Sequence, residues 1–269
     1  MKTGAEAERT RQTDMEQNDN KSFNVETVAT AAQKDLRIEL SQLLKTCPIP
    51  DSELIRNLAL FFPWQEIART LFLAELYQQV LDVPGVVMEL GTRWGRNLAL
   101  FSGFRASFEA FNHNRKIVAF DTFEGLPEPT PKDGASGYAQ QGSLSVSESY
   151  EQYLSQILRL HELGLPYEHI TRYELVRGDA AESVPAYLDR HPETVIALAY
   201  FDMDLYAPTA ACLQAILPYT TKGTLLAFDE INHQTFPGET VALREVLGLR
   251  NIRLRRSRLN PLCGYCVME

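Results

Sequence analysis

The sequence predicts an α/β protein, a doubly wound and mostly parallel sheet that ends in an antiparallel C-terminal strand pair and is preceded by N-terminal helices. Three observations predict it. From residue 86 onward short apolar runs alternate with stretches of helical length, the pattern of successive βαβ units. Two of these runs, Ala197-Leu198-Ala199-Tyr200-Phe201-Asp202-Met203-Asp204 and Thr224-Leu225-Leu226-Ala227-Phe228-Asp229-Glu230, end in acidic clusters one such unit apart. A right-handed crossover then makes them neighbouring parallel strands with both acidic tips at one edge, where open α/β sheets bind ligands. After them, residues 252–257 and 264–268 read as two short strands close enough to pair antiparallel.

The elements follow in order. Residues 1–22 hold almost no large apolar side chains and are rich in Glu, Thr, Gln, Asn and Lys, so residues 1–25 are expected to form a disordered tail. The tail has no apolar signal-peptide core, and no stretch reaches the roughly 20 apolar residues of a membrane span, so a cytoplasmic protein with no membrane partner is expected. Residues 26–84 form an N-terminal helical region, with apolar residues at mixed three and four spacings over 27–45 and 64–80. Cys47-Pro48-Ile49-Pro50 and Phe61-Phe62-Pro63 break it, and it offers an interface for a homo-oligomer.

Residues 85–269 are expected to form one domain, the one that carries the acidic strand tips. Strands are predicted at 86–90, 117–120, 173–176, 197–201 and 224–228, and helices at 97–111, 147–163, 181–190, 208–217 and 239–247. The Gly/Pro/Ser-rich stretch 122–145 is unusually long for a loop in a compact domain, and reads as a lid or substrate loop.

Charge and cysteine content exclude several classes. A net charge of -9 disfavours a nucleic-acid partner, leaving a small-molecule acceptor. The arginines 250, 253, 255, 256 and 258 interleave with Ile252 and Leu254 and read as the solvated face of a strand. Four scattered cysteines make no disulfide scaffold, and Cys263-Gly264-Tyr265-Cys266 has no second ligand pair to complete a zinc site.

Candidate site residues sit at the strand tips. Glu89-Leu90-Gly91-Thr92-Arg93-Trp94-Gly95 follows the first strand and opens a helix, so its glycines permit a tight turn and close approach of a ligand to the backbone. The next strand ends in Asp121, followed by Thr122, where an acidic side chain can accept hydrogen bonds from ribose hydroxyls. Gly178-Asp179-Ala180 suits a loop lining an adenine ring. Together they suggest an adenosine-bearing cofactor, and the absence of G-x-G-x-x-G argues against a nicotinamide oxidoreductase. The carboxylates gathered at Asp202, Asp204, Asp229 and Glu230 can hold a hard divalent cation. Capping of the helix near Pro208 by Asp204 is an alternative role for that one residue.

These residues resemble the class I S-adenosylmethionine-dependent methyltransferases. Asp121-Thr122-Phe123-Glu124-Gly125-Leu126-Pro127, Asp202-Met203-Asp204-Leu205-Tyr206-Ala207-Pro208-Thr209 and Phe236-Pro237-Gly238 are more narrowly similar to the macrocin and mycinamicin sugar O-methyltransferases, over residues 86–269. The resemblance implies a Rossmann-like methyltransferase fold and a magnesium-dependent enzyme that methylates sugar hydroxyls of natural products. It implies S-adenosylmethionine held by Glu89, Gly91, Thr92, Gly95, Asp121, Thr122, Gly178, Asp179, Ala180 and Asp202. It further implies Mg2+ on Asp202, Asp229 and Glu230, and Asp202 or Asp204 as general base. Where the family typically has two adjacent aspartates, this chain has Asp229-Glu230.

That chemistry suits the residue types, because an alcohol attacking a sulfonium methyl group must lose its proton to a nearby carboxylate. His233 reads either as a further proton acceptor or substrate contact, or as a plain exposed histidine. Trp94, Tyr138, Tyr206 and Phe236 can stack on an acceptor or simply pack. The rival readings are an N- or carboxyl-methyltransferase and a cofactor-binding protein without catalysis.

Overall fold

The computed structural model describes residues 30–135, 137 and 139–269. The predicted tail, residues 1–25, and Tyr138 lie outside them. Seven strands form one sheet in the order β3-β2-β1-β4-β5-β7-β6. These are β1 (Val86–Leu90), β2 (Ile117–Asp121), β3 (Tyr173–Arg177), β4 (Ile196–Phe201), β5 (Thr220–Phe228), β6 (Arg255–Arg256) and β7 (Gly264–Val267). The first five are parallel, and β7 pairs antiparallel with both β5 and β6. The chain reverses strand order between β1 and β4, the switch point at which such sheets open a crevice.

Helices cover both faces because the central strands are apolar on both. Val87, Ile117, Ala197 and Ala227 pack toward α3 (Trp64–Gln78), α4 (Arg96–Phe108) and α5 (Tyr150–Leu163). Their neighbours Met88, Val118, Ala199 and Phe228 pack toward α6 (Ala180–Arg190), α7 (Tyr206–Ile216) and α8 (Gly238–Val246). Alternate residues of a strand point to opposite faces, so one apolar run feeds two cores. Before them lie α1 (Ala31–Lys45) and α2 (Asp51–Asn57), the second occupying the segment between the two proline breaks.

Three elements differ from their sequence outlines. The sixth strand is only Arg255–Arg256, the two residues that pair with Tyr265 and Gly264 of β7. Strand β5 begins earlier, at Thr220, where Thr224 Oγ1 donates to Ile196 O at 2.6 Å and ties a register shift to β4. The long loop after β2 is pinned: Leu126 N donates to Ser143 O at 2.8 Å, and Asp133 Oδ1 accepts from Tyr206 N at 2.5 Å. Asp133 is buried, and so fixes the loop to the first turn of α7.

Candidate active site

The parallel ladder runs past the strand ends and delivers their tips to one crevice. Asp202 N donates to Leu90 O at 2.8 Å, Asp229 N to Phe201 O at 2.9 Å and Gly178 N to Asp121 O at 3.0 Å. At the β1 tip Gly91 has φ +91°, and a Cβ there would lie 1.9 Å from Asp202 O, so only glycine lets these two tips cross. Arg93 (φ 49°) and Asp204 (φ 61°) also hold left-handed conformations, backbone strain of the kind that concentrates at functional sites.

Two brackets hold the acidic tips. Glu239, at the start of α8 and fully buried, accepts from Met203 N at 3.0 Å, Asp204 N at 3.3 Å and Glu230 N at 3.2 Å. One carboxylate thereby ties the β4 tip to the β5 tip. Gly238 makes this possible, because a Cβ there would meet Tyr206 N at 2.5 Å and Asp204 O at 2.6 Å. The second bracket is Arg69 of α3, whose Nη2 lies 3.0 Å from Asp202 Oδ2 and whose Nη1 lies 2.9 Å from Asp229 Oδ1. Its Nε donates to Asn97 Oδ1 at 3.2 Å.

These contacts split the carboxylates into two kinds. Asp229 accepts from Arg69, from the Tyr200 hydroxyl and from the Cys263 thiol at 3.2 Å. Burial pushes its pKa up, but Arg69 and the hydrogen bonds from Tyr200 and Cys263 outweigh that and hold it low. Asp202, Asp204 and Glu230 instead gather with one oxygen each inside 4.8 Å. Burial, then Asp229, pushes Asp202 up to about 7 and Asp204 up to about 6, and the same causes carry Glu230 well above the carboxylate range. Glu230 Oε2 is buried with no hydrogen-bond partner among the described residues. An oxygen-rich cluster with surplus negative charge and an orphaned oxygen fits a hard cation.

Beside this cluster is a cavity of about 560 Å³, inside the range of small-molecule sites. The glycine-containing turn after β1 forms one wall and is braced by Asp121, whose Oδ2 accepts from Thr92 N and Arg93 N, both at 2.7 Å, and whose Oδ1 accepts from Phe123 N at 2.6 Å. Asp179 caps α6 by accepting from Ala181 N at 2.9 Å, with Gly178 (φ +140°) just before it.

The sequence model of the macrocin-O-methyltransferase (TylF) family matches residues 68–253. The chain belongs to this family. It is therefore an S-adenosylmethionine-dependent O-methyltransferase. No curated protein sequence matches it. Among solved structures it is similar to the calicheamicin methyltransferase CalS11, at 42% identity over 92% of this chain and 97% of that one, with a TM-score of 0.88. It is also similar to the apo structure of CalS11, described as a TDP-rhamnose 3'-O-methyltransferase, at 41% identity over 90% and 96% with a TM-score of 0.79. The O-methyltransferase NovP, at 19% identity over 75% and 80% with a TM-score of 0.57, shares the fold.

For an O-methyltransferase of this family, the structure brings most of the sequence-selected residues to one cavity. Gly91, Thr92, Asp121, Thr122, Gly178, Asp179 and Ala180 line it, with Asp202, Asp204, Asp229, Glu230 and His233. Glu89 and Gly95 are not part of its wall. Glu89 is fully buried, accepts from Thr92 Oγ1 at 3.3 Å and leaves Oε1 without a partner, while Gly95 packs against Leu154. His233 Nδ1 accepts from Phe236 N at 3.2 Å, which fixes its loop. The cation-compatible trio holds Asp204 where the resemblance implied Asp229, because Arg69, Tyr200 and Cys263 engage Asp229.

Arg69, Asn97 and Glu239 are the residues that sequence reasoning missed. Arg69 had a signal, since it stands three and four residues before Phe72 and Leu73 on the buried face of α3, where a charge must find a partner. Glu239 had none, because its three partners are backbone groups.

Proposed function

We propose that this methyltransferase transfers the methyl group of S-adenosylmethionine to a hydroxyl of a sugar, on a natural product or its nucleotide-linked precursor, with Mg2+ at the acidic edge. The observation that carries the metal is the trio Asp202, Asp204 and Glu230 on the cavity wall, with Asp204 buried and the other two half-buried. The sugar acceptor is supported by family membership and by the nucleotide-sugar named for the CalS11 relative.

S-adenosylmethionine supplies an electrophilic methyl group, and the turn after β1 with Gly178-Asp179-Ala180 forms the walls suited to hold it. Asp202, Asp204 and Glu230 would hold Mg2+, which supplies positive charge to stabilise a developing alkoxide. The chain's own residues do the rest. Asp202 and Asp204 stand on the cavity wall as acceptors for the hydroxyl proton. Glu239 and Arg69 fix where those acceptors sit, and much of the gain from orientation depends on such fixing. Leu126, Pro127, Leu144 and Leu262 add apolar surface to the cavity wall.

The test is calorimetry of S-adenosylmethionine binding with and without Mg2+, followed by mass spectrometry of products from TDP-rhamnose. Cofactor binding, a magnesium response, and a product heavier by one methyl group are expected. Binding that ignores Mg2+, in the intact chain and in Asp202→Ala alike, would remove the metal; an unmethylated panel of nucleotide-linked sugars would remove the acceptor.

A further inference from the structure

Arg69 is a cation placed among the carboxylates that would hold a metal ion. Its side chain is only 14% exposed, and each nitrogen of its guanidinium meets a partner. Nε donates to Asn97 Oδ1 at 3.2 Å, Nη1 to Asp229 Oδ2 at 3.1 Å and Nη2 to Asp202 Oδ2 at 3.0 Å. Asn97 Nδ2 donates to the same Asp202 oxygen at 3.3 Å, so both contacts fall on one side of that carboxylate. The Tyr200 ring lies 6.0 Å from Arg69 Cζ. Burial works against the charge of Arg69, yet Asp229, Tyr200 and Asp202 outweigh it and hold the guanidinium protonated.

The placement is fixed by the fold. Phe72, Leu73, Leu76 and Tyr77 root α3 in the core, and Glu66, three residues before Arg69, accepts from Arg96 Nη1 at 2.8 Å, which ties α3 to the start of α4. Asp229 does not depend on an arginine for hydrogen bonds, because the Tyr200 hydroxyl and the Cys263 thiol already donate to its Oδ1. What Arg69 adds is positive charge. Asp202 is shared, since it pairs with Arg69 and also belongs to the trio with Asp204 and Glu230.

We propose that Arg69 is a built-in counter-ion that limits how tightly the acidic edge holds its divalent cation, by keeping Asp229 and one oxygen of Asp202 engaged. The inference rests on the Mg2+ reading above and names the residue that governs it. Two positive charges sharing one carboxylate repel each other, so the guanidinium weakens the hold on the ion. Fewer carboxylates on the ion leave positions to water and to a substrate oxygen, the arrangement that Mg2+ favours. Arginine suits the task because its planar fork spans two carboxylates and stays charged when buried.

Calorimetric titration of the full chain with MgCl2 tests this, with free Mn2+ counted by electron paramagnetic resonance as a second probe. Arg69→Met should bind either cation more tightly than the intact chain, by about ten-fold or more, with circular dichroism unchanged. Arg69→Lys keeps the charge but cannot fork across both carboxylates, so a smaller tightening is expected, and it decides alone if Arg69→Met does not fold. In an Asp229→Asn background Arg69→Met should also gain less, since only Asp202 is then released. A scaffold residue gives no tightening at all: equal or weaker cation binding in the folded variants would overturn the inference and leave the Mg2+ reading standing. A cation response in Arg69→Met but not in the intact chain would support the inference and remove Mg2+ from the native reaction. No response from any of these proteins would remove both.

Discussion

Helix α4 has buried charge at both ends, and the two ends are built on opposite plans. At its C-terminal end Arg105 and Arg172 each reach one oxygen of Glu162, at 2.7 Å and 3.0 Å, and Arg115 meets Glu109 at 3.0 Å. Arg115 also donates to Gly85 O and Val80 O, and Tyr77 donates to Glu109 at 2.6 Å. Arginines outnumber carboxylates there, at the helix end that favours cations. At the N-terminal end, beside Asn97, carboxylates outnumber the cations facing them, and Glu230 keeps an orphaned oxygen. The arginine surplus is closed off in the core, where Arg105 Nε and Nη1 also lack a hydrogen-bond partner among the described residues. The carboxylate surplus, held in place by Glu239 and Arg69, faces the cavity, and that opening marks the place where something else can bind.

The sharpest way to break this contrast is to delete one carboxylate at each end. Asp202→Ala should lower turnover by at least about 100-fold while the chain stays folded, since a positioned proton acceptor contributes on the order of 10² to 10⁴ and Arg69 keeps Asp229 as partner. Glu162→Ala should instead cost about 3–5 kcal/mol of stability by stranding buried arginines, with turnover per folded molecule unchanged. Denaturant melts and single-turnover assays on both variants decide; equal effects on stability would erase the distinction.

A smaller effect is expected at Glu239→Gln. Glutamine keeps one acceptor oxygen where the carboxylate serves three backbone N–H groups, so one acidic tip is released. Magnesium affinity and kcat should fall by roughly 10–100-fold, as for other residues that orient ligands without touching the metal, with the KM for S-adenosylmethionine little changed. A stability loss without a change in magnesium affinity would assign Glu239 to folding alone.

The smallest effect is in pH. The folded pKa of Asp202 is raised to about 7, so between the ordinary value and 7 the folded state binds more protons than the unfolded state. Stability from this group is therefore present at low pH and lost as pH rises toward 7. Metal-free Asp202→Asn lacks that loss, so its stability relative to the intact chain should rise between about pH 4 and pH 7. Saturating Mg2+ should close the gap. Parallel thermal melts across pH settle it, and a difference that does not vary with pH would contradict the surplus-charge account.

Much of the fold was legible because it rests on local periodicity. The runs ending at Leu90, Asp121 and Phe201 are apolar on both faces, which only a doubly covered strand tolerates, and the helices between them carry their own stripes. The short sixth strand was overextended because Ile252 and Leu254 look strand-like, while pairing depends on the edge that β7 offers. The long loop, read as a lid or substrate loop for want of periodic residues, lines the cavity with Gly125, Leu126, Pro127 and Leu144, while buried Asp133 anchors it through a backbone group of α7, a contact that no periodicity signals.

The sequence by itself determined the acidic tips, their shared edge and the glycine-containing turn beside them, because strand polarity and crossover handedness are rules of chain connectivity. Only the tertiary structure decided which carboxylates are matched and which are left over. Arg69 arrives at Asp202 and Asp229 from 133 and 160 residues away, and Glu239 reaches back to Met203 across 36. Partnerships at that separation leave no period in the chain, and only packing sets them.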